Sequence, residues 1–198
     1  MPAATRKPRG SAPAVAAAVA VLALGGLAAW WLLRPAPASA PSPLLSTASA
    51  PRVGPWVRLQ HPAYGVAVEH PADWAVEPGY ESEFGAPSRL RGSDGFIGLD
   101  AIGGPRSLDE VAQGLATHPL LPYGASPAIE GATVGGQSAR IIIPSVDQPE
   151  ASRGEAMALV RYPAPRTIGG RPYQYFVLYA DVAHLRGIAA TLTFAGLR

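Results

Sequence analysis

The sequence predicts an α+β domain built around an antiparallel sheet and placed behind one membrane-crossing segment. Three observations predict it. A run of 22 uncharged residues, Ala12 to Leu33, opens the chain. Downstream, short alternating runs end at Pro or Gly-Gly, as strands of an antiparallel meander do. Between and after those runs stand only two segments with helical spacing and a capping residue.

The apolar run would span about 33 Å as a helix, enough to cross a hydrocarbon core of about 30 Å. It closes with Trp30-Trp31, residues suited to the headgroup boundary. Arg6, Lys7 and Arg9 precede it and Arg34 follows, a bias that places the N-terminus in the cytoplasm. The expectation is therefore a cytoplasmic stub (1–11), a transmembrane anchor (12–33) and an extracytoplasmic remainder. A cleaved signal peptide is the competing reading, with Ala38-Ser39-Ala40 and Ala48-Ser49-Ala50 as candidate sites. The run is long for a signal, and Pro41 and Pro51 follow both sites, so a retained signal-anchor fits better. Residues 34–55 carry six prolines among Ala and Ser and read as an extended linker.

The domain proper is assigned to 56–198. The chain holds no cysteine, so its stability must come from its core alone. Lys7 is the only lysine and asparagine is absent, a bias that points to a GC-rich bacterial genome. The formal charge of +2 divides unevenly: from Arg52 onward 12 arginines face 14 acidic residues. That slightly acidic domain has no basic cluster with interleaved aromatics, which excludes nucleic acid as an expected partner.

Within the domain, Trp56–Leu59 and Tyr64–His70 read as strands, the second with Tyr64, Val66 and Val68 on one face and Pro71 as its end. Residues 77–87 are turn-rich. Arg89–Arg91 and Phe96–Ile102 flank Ser93-Asp94-Gly95 as a hairpin. Ser107 and Glu110 form a capping box for a helix with Leu108, Val111, Ala112 and Leu115 on one face, closed by His118-Pro119. A proline-rich loop (119–128) leads to strands at 138–143, 155–162 and 173–180. The last has apolar residues on both faces, which marks a central strand covered on two sides. Asp181 then caps a closing helix with Val182, Leu185, Ile188, Ala189 and Leu192 as its stripe.

The segment Tyr64-Gly-Val-Ala-Val-Glu-His-Pro-Ala-Asp-Trp74 resembles the opening of PsbP/Mog1-like domains, an aromatic-Gly strand running into a Pro-x-x-Trp stop. Ser-Leu-Asp-Glu (107–110), Gly-Gly-Gln-x-Ala-Arg (135–140), the Tyr-rich strand and a last helix ending in Thr-Leu-Thr-Phe (191–194) continue the likeness. The resemblance implies an α/β/α sandwich with a central, mainly antiparallel sheet. It also implies a binding or assembly module, and it carries over no functional residue.

Sites are sparse. His61 and His70 stand at the two ends of one strand with Asp73 nearby, a spacing awkward for a metal; His-Pro pairs 61–62, 70–71 and 118–119 read instead as exposed punctuation. Gly136-Gln-Ser138-Ala-Arg140 echoes a nucleophile elbow but lacks its final glycine and runs into Ile-Ile-Ile. Glu81 and Glu83, with Tyr80 and Phe84, could line a sugar cleft or simply sit in a solvated loop. Tyr173, Tyr175 and Tyr179, with Arg161, Arg166 and Arg171, form a candidate interface patch, equally explained as packing under a helix. The resulting expectation is non-catalytic, without metal or cofactor: a membrane-anchored domain that binds a protein or other envelope component. An envelope hydrolase acting on peptides or glycans is the alternative.

Overall fold

The computed structural model describes residues 54–82 and 84–195. The stub, the anchor and nearly all of the linker lie outside the described residues. Among the described residues no helix is long and apolar enough to cross a membrane.

The fold is mostly antiparallel sheet with few helices. A three-stranded sheet pairs β1 (Trp56–His61) with β2 (Val66–Pro71), and β2 with the short β10 (Thr193–Phe194). A seven-stranded sheet contains β3 (Ala75–Val76), β4 (Arg89–Arg91), β5 (Phe96–Ile102), β6 (Ala128–Val134), β7 (Gln137–Ile143), β8 (Glu155–Ile168) and β9 (Arg171–Asp181). Its spatial order is β3-β4-β5-β9-β8-β7-β6, every pairing antiparallel. Helix α1 (Leu108–Ala116) and the single-turn α2 (Leu185–Ala189) complete it.

Strand β9 is central, as its two apolar faces predict. Phe176, Leu178 and Ala180 share a core with Ile97 and Leu99 of β5, Ala158 and Val160 of β8, Val66 and Val68 of β2, and Leu185 and Ile188 of α2. The opposite face places Tyr175 and Val177 with Met157, Leu159 and Ile142 beneath Val111, Ala112 and Ala116 of α1. The central strands of the seven-stranded sheet are thus packed on both faces. Helix α1 covers one, but the other is covered by the small sheet together with α2, so the second helical layer of the expected sandwich is largely strand.

Two Gly-Gly pairs close hairpins. Gly135 and Gly136 have φ of 56° and 76°, and Gly169 and Gly170 have φ of 54° and 79°. Positive φ at both central residues is the geometry that matches the right-handed twist of the flanking strands. The first pair joins β6 to β7, and β6 follows the proline-rich loop (119–128) where the sequence pattern assigns no strand. The capping box forms as expected: Ser107 Oγ accepts from Glu110 N, and Glu110 Oε2 accepts from Ser107 N at 2.7 Å.

Three boundaries need correction. Strand β8 continues past Pro163 to Ile168, because an irregularity between Arg161 and Arg166 absorbs both prolines before pairing resumes. The closing helix is only five residues long. Asp181 caps the turn before it, accepting from the Ala183 and His184 amides at 3.1 Å, and Val182 is exposed. Thr193-Phe194 is not helical but adds to the edge of β2.

Candidate functional site

The histidines expected at the surface are mostly inside. His61 is fully buried, stacked on Tyr64 with ring centroids 4.1 Å apart, and its Nδ1 accepts from the Tyr64 amide. The turn that follows β1 folds Tyr64 back over the imidazole, which hides both rings. His70 is buried too, its Nδ1 2.8 Å from the Pro71 carbonyl. Only His118 follows the expectation, exposed and accepting from Leu120 N. His184 lies between two carboxylates, Nδ1 2.8 Å from Asp181 and Nε2 3.5 Å from Asp94. Each imidazole is held by the fold, and among the described residues no three metal-ligating side chains converge.

Burial holds the His70 pKa below the ordinary 6.5, opposed by the Pro71 carbonyl and Asp73. The unfolded chain therefore binds a proton below about pH 6.5 that the folded chain declines. Stability should fall as pH drops from 7.5 to 5.5. Urea unfolding across that range should show a shallower decline in His70→Gln than in the wild type; identical slopes would rule out His70 as a source.

The other expected constellations do not assemble. Asp73 is exposed, and Glu81 serves its own loop, accepting from Gly79 N at 2.9 Å, a bond that lowers its pKa. Glu83 lies outside the described residues. Ser138 is an exposed strand residue opposite Thr133 in the β6–β7 hairpin, without a strand-to-helix turn.

The tyrosine and arginine patch divides. Tyr175 is buried under the entry to α1, its hydroxyl donating to the Arg106 carbonyl at 2.7 Å. Tyr173 packs instead against the core on the Phe176 face. Arg166 reaches across to the β1–β2 turn, donating to the Ala63 and Pro62 carbonyls, with its guanidinium packed on Gly65. Arg161 and Arg171 remain exposed on β8 and β9. Of the three patch tyrosines, Tyr179 lines an open cleft.

That site is a cleft of about 340 Å³ over β4, β5 and β9. Its floor is the lateral row Arg89, Gly98 and Tyr179 across β4, β5 and β9. Gly98 has no side chain to fill the space above Tyr179; a Cβ there would lie 3.5 Å from the Tyr179 side chain. Asp100 stands two residues along β5, and Glu155 enters from the start of β8. Tyr80 and Ser88 close the rim from the loop before β4.

The electrostatics are mixed. Arg89 Nε lies 3.0 Å from Glu77 without closing a hydrogen bond, and the guanidinium lies over the rings of Tyr80 and Phe96, each centroid 5.5 Å away. Burial pushes the Glu155 carboxyl above its usual range, opposed by Arg89, a hydrogen bond from Tyr123 and Arg91. Burial likewise raises Tyr179, aided by Asp100 and Glu155 and opposed by Arg89. These groups come from four strands and a loop, and only Tyr80 and Tyr179 carried a signal in the sequence.

No family model and no curated protein matches the chain. Among solved structures it is similar to the solution structure of cyanobacterial PsbP (CyanoP) from Synechocystis sp. PCC 6803, at 10% identity and a TM-score of 0.39, covering 76% of this chain and 98% of that one.

Proposed function

We propose that this chain is a membrane-anchored, extracytoplasmic binding domain without catalytic activity, and that its ligand, an envelope component within reach of the linker, enters the cleft above Gly98. The observation that carries this reading is the cleft itself. It combines opposite charges, two tyrosines and a glycine floor on the α1 side of the large sheet. Proline-rich residues 34–55 would allow it to work several tens of Å from the bilayer. The PsbP/Mog1-like motifs support an assembly or binding role. The hydrolase alternative needs a nucleophile with a base, or paired acids, around one reacting atom; the histidines described above are instead bound into structural contacts.

The test uses the full chain in cells. A photo-crosslinking residue at the cleft rim, in place of Tyr80, should yield a light-dependent adduct by mass spectrometry, and Gly98→Val should abolish it. Protease added to spheroplasts should digest the domain. Absence of any adduct, or turnover of peptide or glycan substrates by the purified chain, would overturn the reading.

A further inference from the structure

We infer that the cleft takes a small zwitterion, one ammonium and one carboxylate on a molecule of amino-acid to dipeptide size. This deepens the binding reading and rests on it. Arg89 and Glu155 line the same cleft and act on each other electrostatically, yet no direct ion pair closes between them. Arg89 packs over two aromatic faces with Nε 3.0 Å from Glu77, and that buried Nε has no hydrogen-bond partner. A planar guanidinium lining the cleft offers a fork suited to a carboxylate. Asp100 and Glu155 line the same cleft, and both act on the Tyr179 hydroxyl. An ammonium there would meet acceptors and a tyrosine face together.

Ser88 supplies an independent observation. It is 2% exposed, lines the cleft, and its hydroxyl has no hydrogen-bond partner. Buried hydroxyls are rarely left so, and a ligand that donates or accepts at this point would complete it. Other ligand classes fit less well. A simple anion would meet two carboxylates without compensation, and a simple cation would leave the Arg89 fork empty. A neutral sugar would desolvate charges of both signs while pairing neither. A volume of about 340 Å³ lies at the small end of ligand sites and suits such a molecule.

The experiment is calorimetric titration of the full chain in nanodiscs with L-alanine, L-alanyl-L-alanine, N-acetyl-L-alanyl-L-alanine and L-alanyl-L-alaninamide. At least one of the two zwitterions should bind saturably, and removing either charge from the dipeptide should weaken it at least tenfold. Arg89→Gln should erase the penalty for amidation, and Glu155→Gln the penalty for acetylation. Gly98→Val should abolish binding. Each variant is first shown to unfold cooperatively, with Arg89→Met replacing Arg89→Gln if the latter does not fold. Equal binding of the blocked dipeptides, or no binding of either zwitterion, would overturn the inference. A crosslinked adduct at the rim would then leave the binding reading standing; its absence as well would remove both.

Discussion

Phe176→Ala should lower the stability of the domain by about 3–5 kcal/mol, the range for truncating a buried aromatic whose cavity cannot collapse. Phe176 is fully buried in the central strand β9. Its ring meets those of Tyr64, Tyr162 and Phe194, with centroids 6.4, 6.2 and 6.4 Å away in tilted or edge-on arrangements. Those partners come from the β1–β2 turn, β8 and β10, so one side chain joins the small sheet to the large one. Relaxation into the space is hindered because Phe194 belongs to a two-residue strand and Tyr64 is pinned against His61. Urea unfolding of the full chain, followed by tryptophan fluorescence, measures the loss. Phe176→Leu should cost clearly less, since it keeps most of the volume. A loss below about 1.5 kcal/mol for the alanine variant would mean that the two sheets are not coupled through this ring.

The role of Phe176 was legible in part. Apolar residues on both faces of 173–180 mark a central strand, and the alternation assigns Phe176 and Leu178 to one side. What covers that side was not legible. Its lid is made from β2, α2 and β10, which meet only after the chain has crossed the large sheet. Thr193-Phe194 continues a helical stripe in sequence, yet pairs with Val66 and Ala67, because a two-residue edge contact leaves no periodic trace. Strand β6 was missed for a related reason. Ala-Ile-Glu-Gly-Ala-Thr-Val is an edge strand with one partner and a half-exposed pattern, so its alternation is weak. Gly135-Gly136 held the missing signal: a two-residue turn with positive φ implies a strand before it as well as after it.

The cleft was less legible than the fold. Arg89 and Asp100 lie in strands recognised from their apolar neighbours, and Gly98 looks like an unremarkable interruption of β5. Their meaning depends on lateral register, which places Gly98 beside Tyr179 and Arg89 beside Gly98. The candidate patch failed to gather for the same reason. Tyr175 and Tyr179 share a face, but α1 covers one and leaves the other open, and Arg166 spends its donors on the β1–β2 turn.

The second large effect is expected at Asp181, where β9 turns toward α2. Its carboxylate, 16% exposed, accepts from the amides of Phe96, Ala183 and His184 and from His184 Nδ1. His184 in turn faces Asp94, and Asp94 accepts from Trp74 Nε1 at 2.9 Å, so the β4–β5 turn is clasped to the end of β9. Asp181→Ala leaves several donors short of an acceptor, at a cost of about 2–3 kcal/mol after partial replacement by water. Gly95 shows how closely the clasp is fitted. A Cβ there would lie 2.1 Å from Asp181 Oδ2 and 2.9 Å from the Trp74 ring, so Gly95→Ala must displace one or both. The two substitutions should therefore not add. Once Asp181 is truncated, the alanine at 95 has lost its nearest obstacle. The double variant should be less destabilised than the sum of the single ones by ~1 kcal/mol or more, as expected for residues in contact. Urea unfolding of the four proteins closes the cycle. Strict additivity would show that the turn yields at Gly95 without moving Asp181, and that the clasp is looser than its contacts imply.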